Sequence, residues 1–229
     1  MFLKDLLLPK FCLGCGFLGA YICLNCQQKL SYIKSDVCLY CGKASLYGLT
    51  HPGCRRINGI DGFLSLFYYN NFLKKLIKDI KYRLATEVWQ ELCLVVKPEE
   101  CGKFKQVKNL LGSDLLLAPV PLHPNKLRAR GFNQAKIISL FFNRFLHLSQ
   151  TEPLLRKIDT KAQAQLKKNL DRYLNLRNAF AVLPGSDFSG KKFVLVDDVA
   201  TTGSTLKEAA RALKGAGAKK VHAFVLAKG

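Results

Sequence analysis

The chain has 229 residues, of which 36 are Lys or Arg and 16 are Asp or Glu, so its formal net charge at pH 7 is +20. Apolar residues make up 49% of it, which is enough to offset chain entropy and excludes a disordered polycation. No run approaches the about 18 consecutive apolar residues of a membrane span, and Asp5, Pro9 and Lys10 interrupt the N-terminal stretch nearest to a signal peptide. We therefore expect a cytoplasmic globular protein with one full and one smaller domain, and a nucleic acid, an anionic lipid or a phosphorylated small molecule as its partner.

Seven of the nine cysteines precede residue 55 and repeat a two-residue spacing. Such a step puts two ligands on one tight turn, within reach of a tetrahedral ion at about 2.3 Å, and cytoplasmic thiols favour metal over disulfides. One predicted zinc site consists of Cys12, Cys15, Cys23 and Cys26, and a second of Cys38, Cys41, His51 and Cys54. The pairs can also combine across the two sets into one interleaved site. With every position filled by a protein ligand, one or two structural zinc ions are predicted for a small domain over residues 1–58, whose folding depends on the metal.

Residues 59–229 alternate between strand and helix patterns. The predicted strands are 62–69, 114–120, 189–199 and 220–226, and the predicted helices are 72–81, capped by Asn71, then 84–96, 132–146 and 205–214. Strand, helix and strand in this order indicate right-handed crossovers in a mostly parallel sheet flanked by helices. Lys74, Lys75, Lys78 and Lys81 fall on one face of the first helix, which is either simply solvated or binds anions.

A cation-rich loop, residues 119–134, follows the second predicted strand. Guanidinium groups stay charged and bind pyrophosphate bidentately, which makes this loop a candidate pyrophosphate site. The candidates are Lys126, Arg128, Arg130 and Gly131. His123 is interpreted as a turn residue rather than a phosphate ligand, and Asn133 and Gln134 as a helix cap or as ligand contacts.

The segment 194–206 delivers two acids, Asp197 and Asp198, from a buried strand into a turn that opens a helix. Ligands of open α/β sheets bind beyond the carboxyl ends of the strands, and a helix N-terminus attracts phosphate. The predicted phosphate-binding residues are Thr201, Thr202, Gly203, Ser204 and Thr205. The two acids would accept hydrogen bonds from ribose hydroxyls or hold hydrated Mg²⁺.

This segment resembles the phosphoribosyl pyrophosphate (PRPP) signature of type I phosphoribosyltransferases. The resemblance implies that Asp197 and Asp198 bind the ribose 2′- and 3′-hydroxyls and that residues 201–205 hold the 5′-phosphate. Thr201 stands where the purine-salvage version of the signature has its general base, which weakens the case for a 6-oxopurine substrate.

The order of motifs resembles ComF (ComFC) family proteins. Cysteine knuckles are followed by P-V-P-L-H-P, R-x-R-G-F-N-Q and D-D-V-x-T-T-G-x-T-L, and residues 160–180 are similar to the family's T-x-x-Q-x-x-L and R-x-x-N-x-x-x-A-F segment. Lys161 and Ala162 depart from it, standing where prolines are frequent, and many relatives have a cysteine near the position of His51.

The resemblance implies a competence protein that handles single-stranded DNA in the cytoplasm during natural transformation, at the inner-membrane uptake machinery and with a competence helicase as a partner. The charge agrees, because residues 59–229 alone carry 29 basic and 14 acidic side chains, more than a small ligand requires. Phe67, Tyr68, Tyr69, Phe72 and Tyr82 are candidates for base stacking, although most are expected in the core. The alternative is a Mg²⁺-dependent phosphoribosyltransferase acting on a base or amine, and a third possibility is a PRPP sensor that alters DNA affinity.

Overall fold

The computed structural model describes residues 9–82, 85–112, 114–159 and 178–229. Its strands, in chain order, are β1 (Gly62–Tyr68), β2 (Leu115–Pro119), β3 (Ser149–Gln150), β4 (Leu154–Arg156), β5 (Phe180–Val182), β6 (Lys192–Ala200) and β7 (Lys220–Lys228). Five of them form a parallel sheet in the order β1-β7-β6-β2-β3, and β4 pairs antiparallel with β5 beside it. The predicted α/β class with a mostly parallel sheet is confirmed.

The helices are α1 (Leu24–Gln27), α2 (Asn71–Tyr82), α3 (Ala85–Val95), α4 (Gly102–Leu111), α5 (Pro124–Arg130), α6 (Gln134–Leu146) and α7 (Ser204–Gly215). The predicted cap of α2 was wrong by one residue, because Asn70 Oδ1 accepts the hydrogen bond from the Leu73 amide at 2.9 Å. No described helix has the length and apolar character needed to cross a membrane.

Helix α5 lies inside the segment predicted as an irregular loop, and that prediction was wrong. Pro124 occupies the first helical position, where its missing N–H costs nothing. His123 Nδ1 accepts the Asn125 amide at 3.2 Å, so His123 is the helix cap, and Gly131 ends the helix at φ +80°. Lys126, Arg128 and Arg130 therefore lie on a short helix rather than in a loop.

The strands bury alternate residues in two apolar layers, as the period of two in an extended chain requires. Val194 and Val196 of β6 belong to the layer that packs under α2, α3, α4 and α6, whereas Phe193 and Leu195 belong to the layer under α7. Asp197 and Asp198, which are consecutive in β6, therefore also alternate between the two faces of the sheet.

The cysteine-rich region shares the first of these layers. Cys12, Ile22 and Cys26 are buried in the same cluster as the side chains of α2 and α3. The Ile22 amide also donates to Glu91 at 2.6 Å. Residues 9–58 therefore complete their small core with side chains from the second part of the chain, and the domain boundary at 58 stays a prediction.

The connections on either side of the β6–β2 pair run in opposite directions. The chain leaves β2 toward β3 through α6, and it leaves β6 toward β7 through α7. The loops after β2 and β6 thus diverge from neighbouring strands at the carboxyl edge, which is the crevice where open α/β sheets bind ligands. Both predicted ligand loops begin at this crevice.

Candidate functional site

The acid pair lies within β6, close to its carboxyl end. Asp197 and Asp198 are 9% and 7% exposed, and they point to opposite faces of the sheet because they are adjacent in an extended strand. Asp197 Oδ1 accepts the Asp198 amide at 2.8 Å, and Asp198 Oδ1 accepts the Val199 amide at 2.8 Å. Each carboxylate is therefore oriented by a backbone amide of the next residue.

Arg156 of β4 lies within electrostatic range of Asp197. Burial lowers the pKa of Arg156, while the negative charges of Asp197 and Asp159 raise it. Its guanidinium carbon lies 5.3 Å from the ring centre of Phe180, so the small β4–β5 sheet holds the arginine in place. A guanidinium remains protonated even when its pKa is lowered by burial, so the Arg156 charge and the Asp197 carboxylate attract each other.

The predicted phosphate loop is the turn between β6 and α7. Gly203 adopts φ +70° immediately before the first residue of α7, a conformation that favours glycine. The hydroxyls of Thr202 and Ser204 are 2.7 Å apart, and Lys207 Nζ donates to the Thr202 carbonyl at 2.8 Å. Hydroxyls, a helix N-terminus and an ammonium group together suit a phosphate.

The three cations of the predicted pyrophosphate loop are each oriented by a neighbour. Lys126 Nζ lies 3.3 Å from a carboxylate oxygen of Asp159, Arg128 donates to Asn125 Oδ1 at 2.5 Å, and Arg130 donates to Gln134 Oε1. Gly131 is the left-handed residue that closes α5, and Asn133 Oδ1 caps α6 by accepting the Ala135 amide at 3.1 Å. The interpretation of Asn133 as a cap is confirmed.

The first cysteine set forms one compact cluster. The sulfur atoms of Cys12, Cys15, Cys23 and Cys26 all lie within 4.8 Å of one another. A tetrahedral shell with sulfurs at about 2.3 Å from zinc has sulfur–sulfur distances of roughly 3.8 Å, so the cluster fits this ion. Burial and the neighbouring sulfurs raise the pKa of Cys26 to about 12, so full deprotonation of the set calls for a cation at its centre.

The second set is a separate cluster of the same size. Ligand atoms of Cys38, Cys41, His51 and Cys54 also lie within 4.8 Å of one another, so the structure groups the knuckles as two sites rather than one interleaved site. His51 Nε2 lies 3.0 Å from the Ala44 carbonyl, and its Nδ1 lies 3.3 Å from Cys41 Sγ. An Nε2–H donor to that carbonyl leaves the Nδ1 lone pair for a metal, the arrangement typical of zinc-binding histidines.

The thiol of Cys38 is prepared for the same role. Burial would raise its pKa, but hydrogen bonds from the backbone amides of Cys41, His51 and Tyr40 lower it to about 7. A thiolate is the form that binds zinc. Cys93 and Cys101 lie in α3 and in the short 3₁₀ turn before α4 and belong to neither cluster.

Of the candidate stacking residues, Phe67 and Phe72 are buried, whereas Tyr68 is 47% exposed at the carboxyl end of β1. Lys74, Lys75 and Lys78 are exposed on α2. The side chains of Lys81 and Tyr82, and residues 160–177 of the family-like segment, lie outside the described residues.

Sequence reasoning missed Arg156, Leu39 and Lys207. Leu39 packs against Gly203, and Arg156 lies within electrostatic range of Asp197; both relations join distant segments of the chain, which no local pattern records. Lys207 carries a signal that was available, since it follows Gly203 by one helical turn.

Comparison with known proteins divides the chain at similar places. A family model described as a double zinc ribbon domain matches residues 3–57. A second, described as a phosphoribosyl transferase domain, matches residues 156–229, which include the acid pair and the turn after it.

Relatives of known name align along most of the chain. Competence protein F of Haemophilus influenzae is 28% identical over 90% of both chains. Competence protein ComFC of Bacillus subtilis is 29% identical over 90% of this chain and 83% of its own. The DNA utilization protein YhgH of Escherichia coli (strain K12) is 30% identical over 97% of this chain and 99% of its own.

Proposed function

This chain belongs to the ComF (ComFC) family of competence and DNA utilization proteins, and from that premise we propose that it binds and handles single-stranded DNA during natural transformation and carries a PRPP-type pocket. The proposal places this work in the cytoplasm, at the inner-membrane uptake machinery and beside a competence helicase. Two structural zinc ions, one in each cysteine cluster, complete it.

One observation carries the proposal of the pocket. The crevice between the ends of β2 and β6 collects three kinds of group that a phosphoribosyl diphosphate requires. Asp197 and Asp198 would accept hydrogen bonds from ribose hydroxyls, the turn at Gly203 opens a helix that would bind a phosphate, and α5, which follows β2, carries cations for the diphosphate.

The single-stranded DNA interface is proposed at the same carboxyl edge of the sheet. Helix α2 starts just after β1, so Lys74 and Lys75 in its first turns lie at this edge, as does the exposed Tyr68 at the end of β1. Surfaces that bind single strands usually combine cations along the path of the nucleic-acid phosphates with an aromatic ring on which a base can stack. The net charge of +20 supplies the long-range attraction.

Fluorescence anisotropy with a labelled oligonucleotide, over a series of salt concentrations, tests this interface. For single strands the slope of log K against log salt is roughly 0.7 per phosphate contact, so Lys74→Gln with Lys75→Gln should flatten it by about 1.4. The matched control is Lys191→Gln with Lys219→Gln, an equal loss of charge at the amino ends of β6 and β7. Absence of binding at low salt, or an equal effect of both pairs, contradicts the proposal.

The pocket is tested by titrating PRPP with Mg²⁺ into the wild-type chain and into the Asp197→Asn, Asp198→Asn double variant. We expect binding to the wild type and none to the variant. Repeating the oligonucleotide titration on both proteins shows whether the pocket and the DNA surface are one site or two. A change in DNA affinity on adding PRPP to the wild type would identify the sensor behaviour.

The second candidate, an active phosphoribosyltransferase, is favoured by the buried positive charge of Arg156, which the Asp197 carboxylate attracts. In that reaction the bond from ribose C1 to pyrophosphate breaks, an acceptor nitrogen bonds to C1, and its proton passes to solvent. Mg²⁺ would supply positive charge to neutralise the leaving pyrophosphate. Here Asp197 and Asp198 orient the ribose, and Lys126, Arg128 and Arg130 bind the departing pyrophosphate. Pyrophosphate release with some base or amine, lost on Asp197→Asn, would support it, and failure with every acceptor tested would count against it.

A further inference from the structure

The second cysteine cluster touches the phosphate loop. Leu39, which lies between Cys38 and Cys41, packs against Gly203 so closely that a Cβ on this glycine would meet Leu39 Cδ1 at 2.8 Å and Cγ at 3.0 Å. Gly203 is therefore needed for two reasons, its left-handed backbone and the side chain above it. The contact joins residues that are 164 positions apart in the sequence.

The next residue, Tyr40, reaches the other end of the same loop. Lys207 Nζ lies 5.0 Å from the centre of the Tyr40 ring while it donates to the Thr202 carbonyl at 2.8 Å. Tyr40 is itself fixed, since its hydroxyl accepts the Ile60 amide at 2.9 Å. Burial lowers the pKa of Lys207, and the nearby Cys38 sulfur raises it. The lysine thus connects the aromatic ring of the knuckle to the backbone of the phosphate loop.

The positions of Leu39 and Tyr40 depend on the ligand cluster around them. They occupy the two places between Cys38 and Cys41, in a turn closed by the Gly42 amide donating to the Cys38 carbonyl at 2.9 Å. Since both ends of this turn are ligand residues, the ion that fixes them fixes the two side chains as well.

We propose that Leu39 and Tyr40 are positioning residues for phosphate binding, through which zinc in the second cluster holds the loop at Gly203 in its phosphate-binding form. This inference rests on the pocket proposed above and adds a means of regulating it. Because coupling between two sites is reciprocal, phosphate in the loop must also strengthen zinc binding to the second cluster. The first cluster, which packs on α2 and α3 instead, is not expected to respond.

The test compares zinc-loaded wild type, Leu39→Ala and Lys207→Met by hydrogen exchange of the loop amides, without any ligand. Faster exchange is expected over residues 200–207 in both variants. The matched control is Leu46→Ala, a leucine of the same region that is 74% exposed and outside the contact with Gly203. Metal analysis checks that every variant retains the wild-type zinc content.

Two ligand measurements complete the experiment. PRPP affinity should fall about 5-fold or more in Leu39→Ala, the lower end of typical allosteric coupling. In the wild type, PRPP should slow transfer of one of the two zinc ions to a chromogenic chelator. The inference is overturned if hydrogen exchange of the loop is unchanged in both variants. It is also overturned if bound PRPP leaves the rate of zinc transfer unchanged. If the wild type binds no PRPP, the proposed pocket fails, and the exchange data alone decide whether the knuckle positions the loop.

Discussion

Acidification is predicted to destabilise this protein through one buried imidazole. His222 of β7 is 2% exposed, and neither ring nitrogen has a hydrogen-bond partner among the described residues. The imidazole fits because Gly62 on the neighbouring strand has no side chain; a Cβ at Gly62 would lie 2.5 Å from His222 Cδ2. Burial lowers the pKa of His222 from 6.5 to about 4; the charge of Asp61 raises it, and those of Lys220 and Lys214 lower it further.

The sign and size of the effect follow from that difference in pKa. Between pH 6.5 and 4, His222 is protonated in the unfolded chain but neutral in the folded chain, so the free energy of unfolding falls as the pH falls. The loss begins near pH 6.5 and is complete below the folded pKa of about 4. A difference of about 2.5 units corresponds to roughly 3 kcal/mol in total, and to about 2 kcal/mol at pH 5.

Urea unfolding of wild type and His222→Leu, measured from pH 8 to pH 5, tests this prediction. The variant has no imidazole to protonate, and acid loss of zinc affects both proteins, so it cancels in the difference between them. We expect the variant to gain about 2 kcal/mol over the wild type between pH 8 and pH 5. Parallel pH profiles would refute the assignment of the low pKa to His222.

Three further predictions concern metal and packing. Cys12→Ser should lose one zinc ion per chain by elemental analysis, whereas Cys93→Ser, outside both clusters, should keep the wild-type content. Gly48→Ala should prevent stable folding, because its φ is +64° and a Cβ would lie 1.8 Å from a carbonyl oxygen of β1, whereas Gly53→Ala meets nothing within 4 Å; soluble yield and thermal melting compare the two. Glu208→Gln should lower the free energy of unfolding by about 1–3 kcal/mol, because this buried carboxylate accepts hydrogen bonds from the Arg211 guanidinium and from the Asn178 amide. An unchanged melting temperature would contradict this prediction.

The strands could be predicted from the sequence because burial on both faces leaves uninterrupted apolar runs. β6 and β7 are of this kind, and their predicted ends differ from the observed ones by a few residues. The β4–β5 pair was missed, since strands of three residues have no measurable period and their pairing is not local. Helix α5 was missed because the prolines around His123 are typical of a loop as well as of a helix start.

The candidate site shows the same division between local and distant information. The acid pair and the turn at Gly203 lie in one continuous segment and could be recognised there. The metal-binding cysteines could also be recognised, because the spacing of ligands is a local feature. Their grouping into two separate sites could be decided only from the folded structure. The approach of Leu39 to Gly203 and of Arg156 to Asp197 depends on tertiary packing, for which the sequence contains no adjacent signal.

The apolar layer shared by the first cysteine cluster and helices α2 and α3 limits how such a protein can be rearranged. Cys26 and Phe72 both lie against Gly14, where a Cβ would meet Cys26 Sγ at 2.6 Å and the Phe72 ring at 2.8 Å. A cysteine-rich domain taken from a relative would have to fit this contact between Gly14, Cys26 and Phe72. Its exchange between family members therefore requires exchange of helices α2 and α3 as well. We expect chimaeras joined near residue 58 to give a lower soluble yield than chimaeras joined after α3, which keep the contacts of the first cluster with α2 and α3.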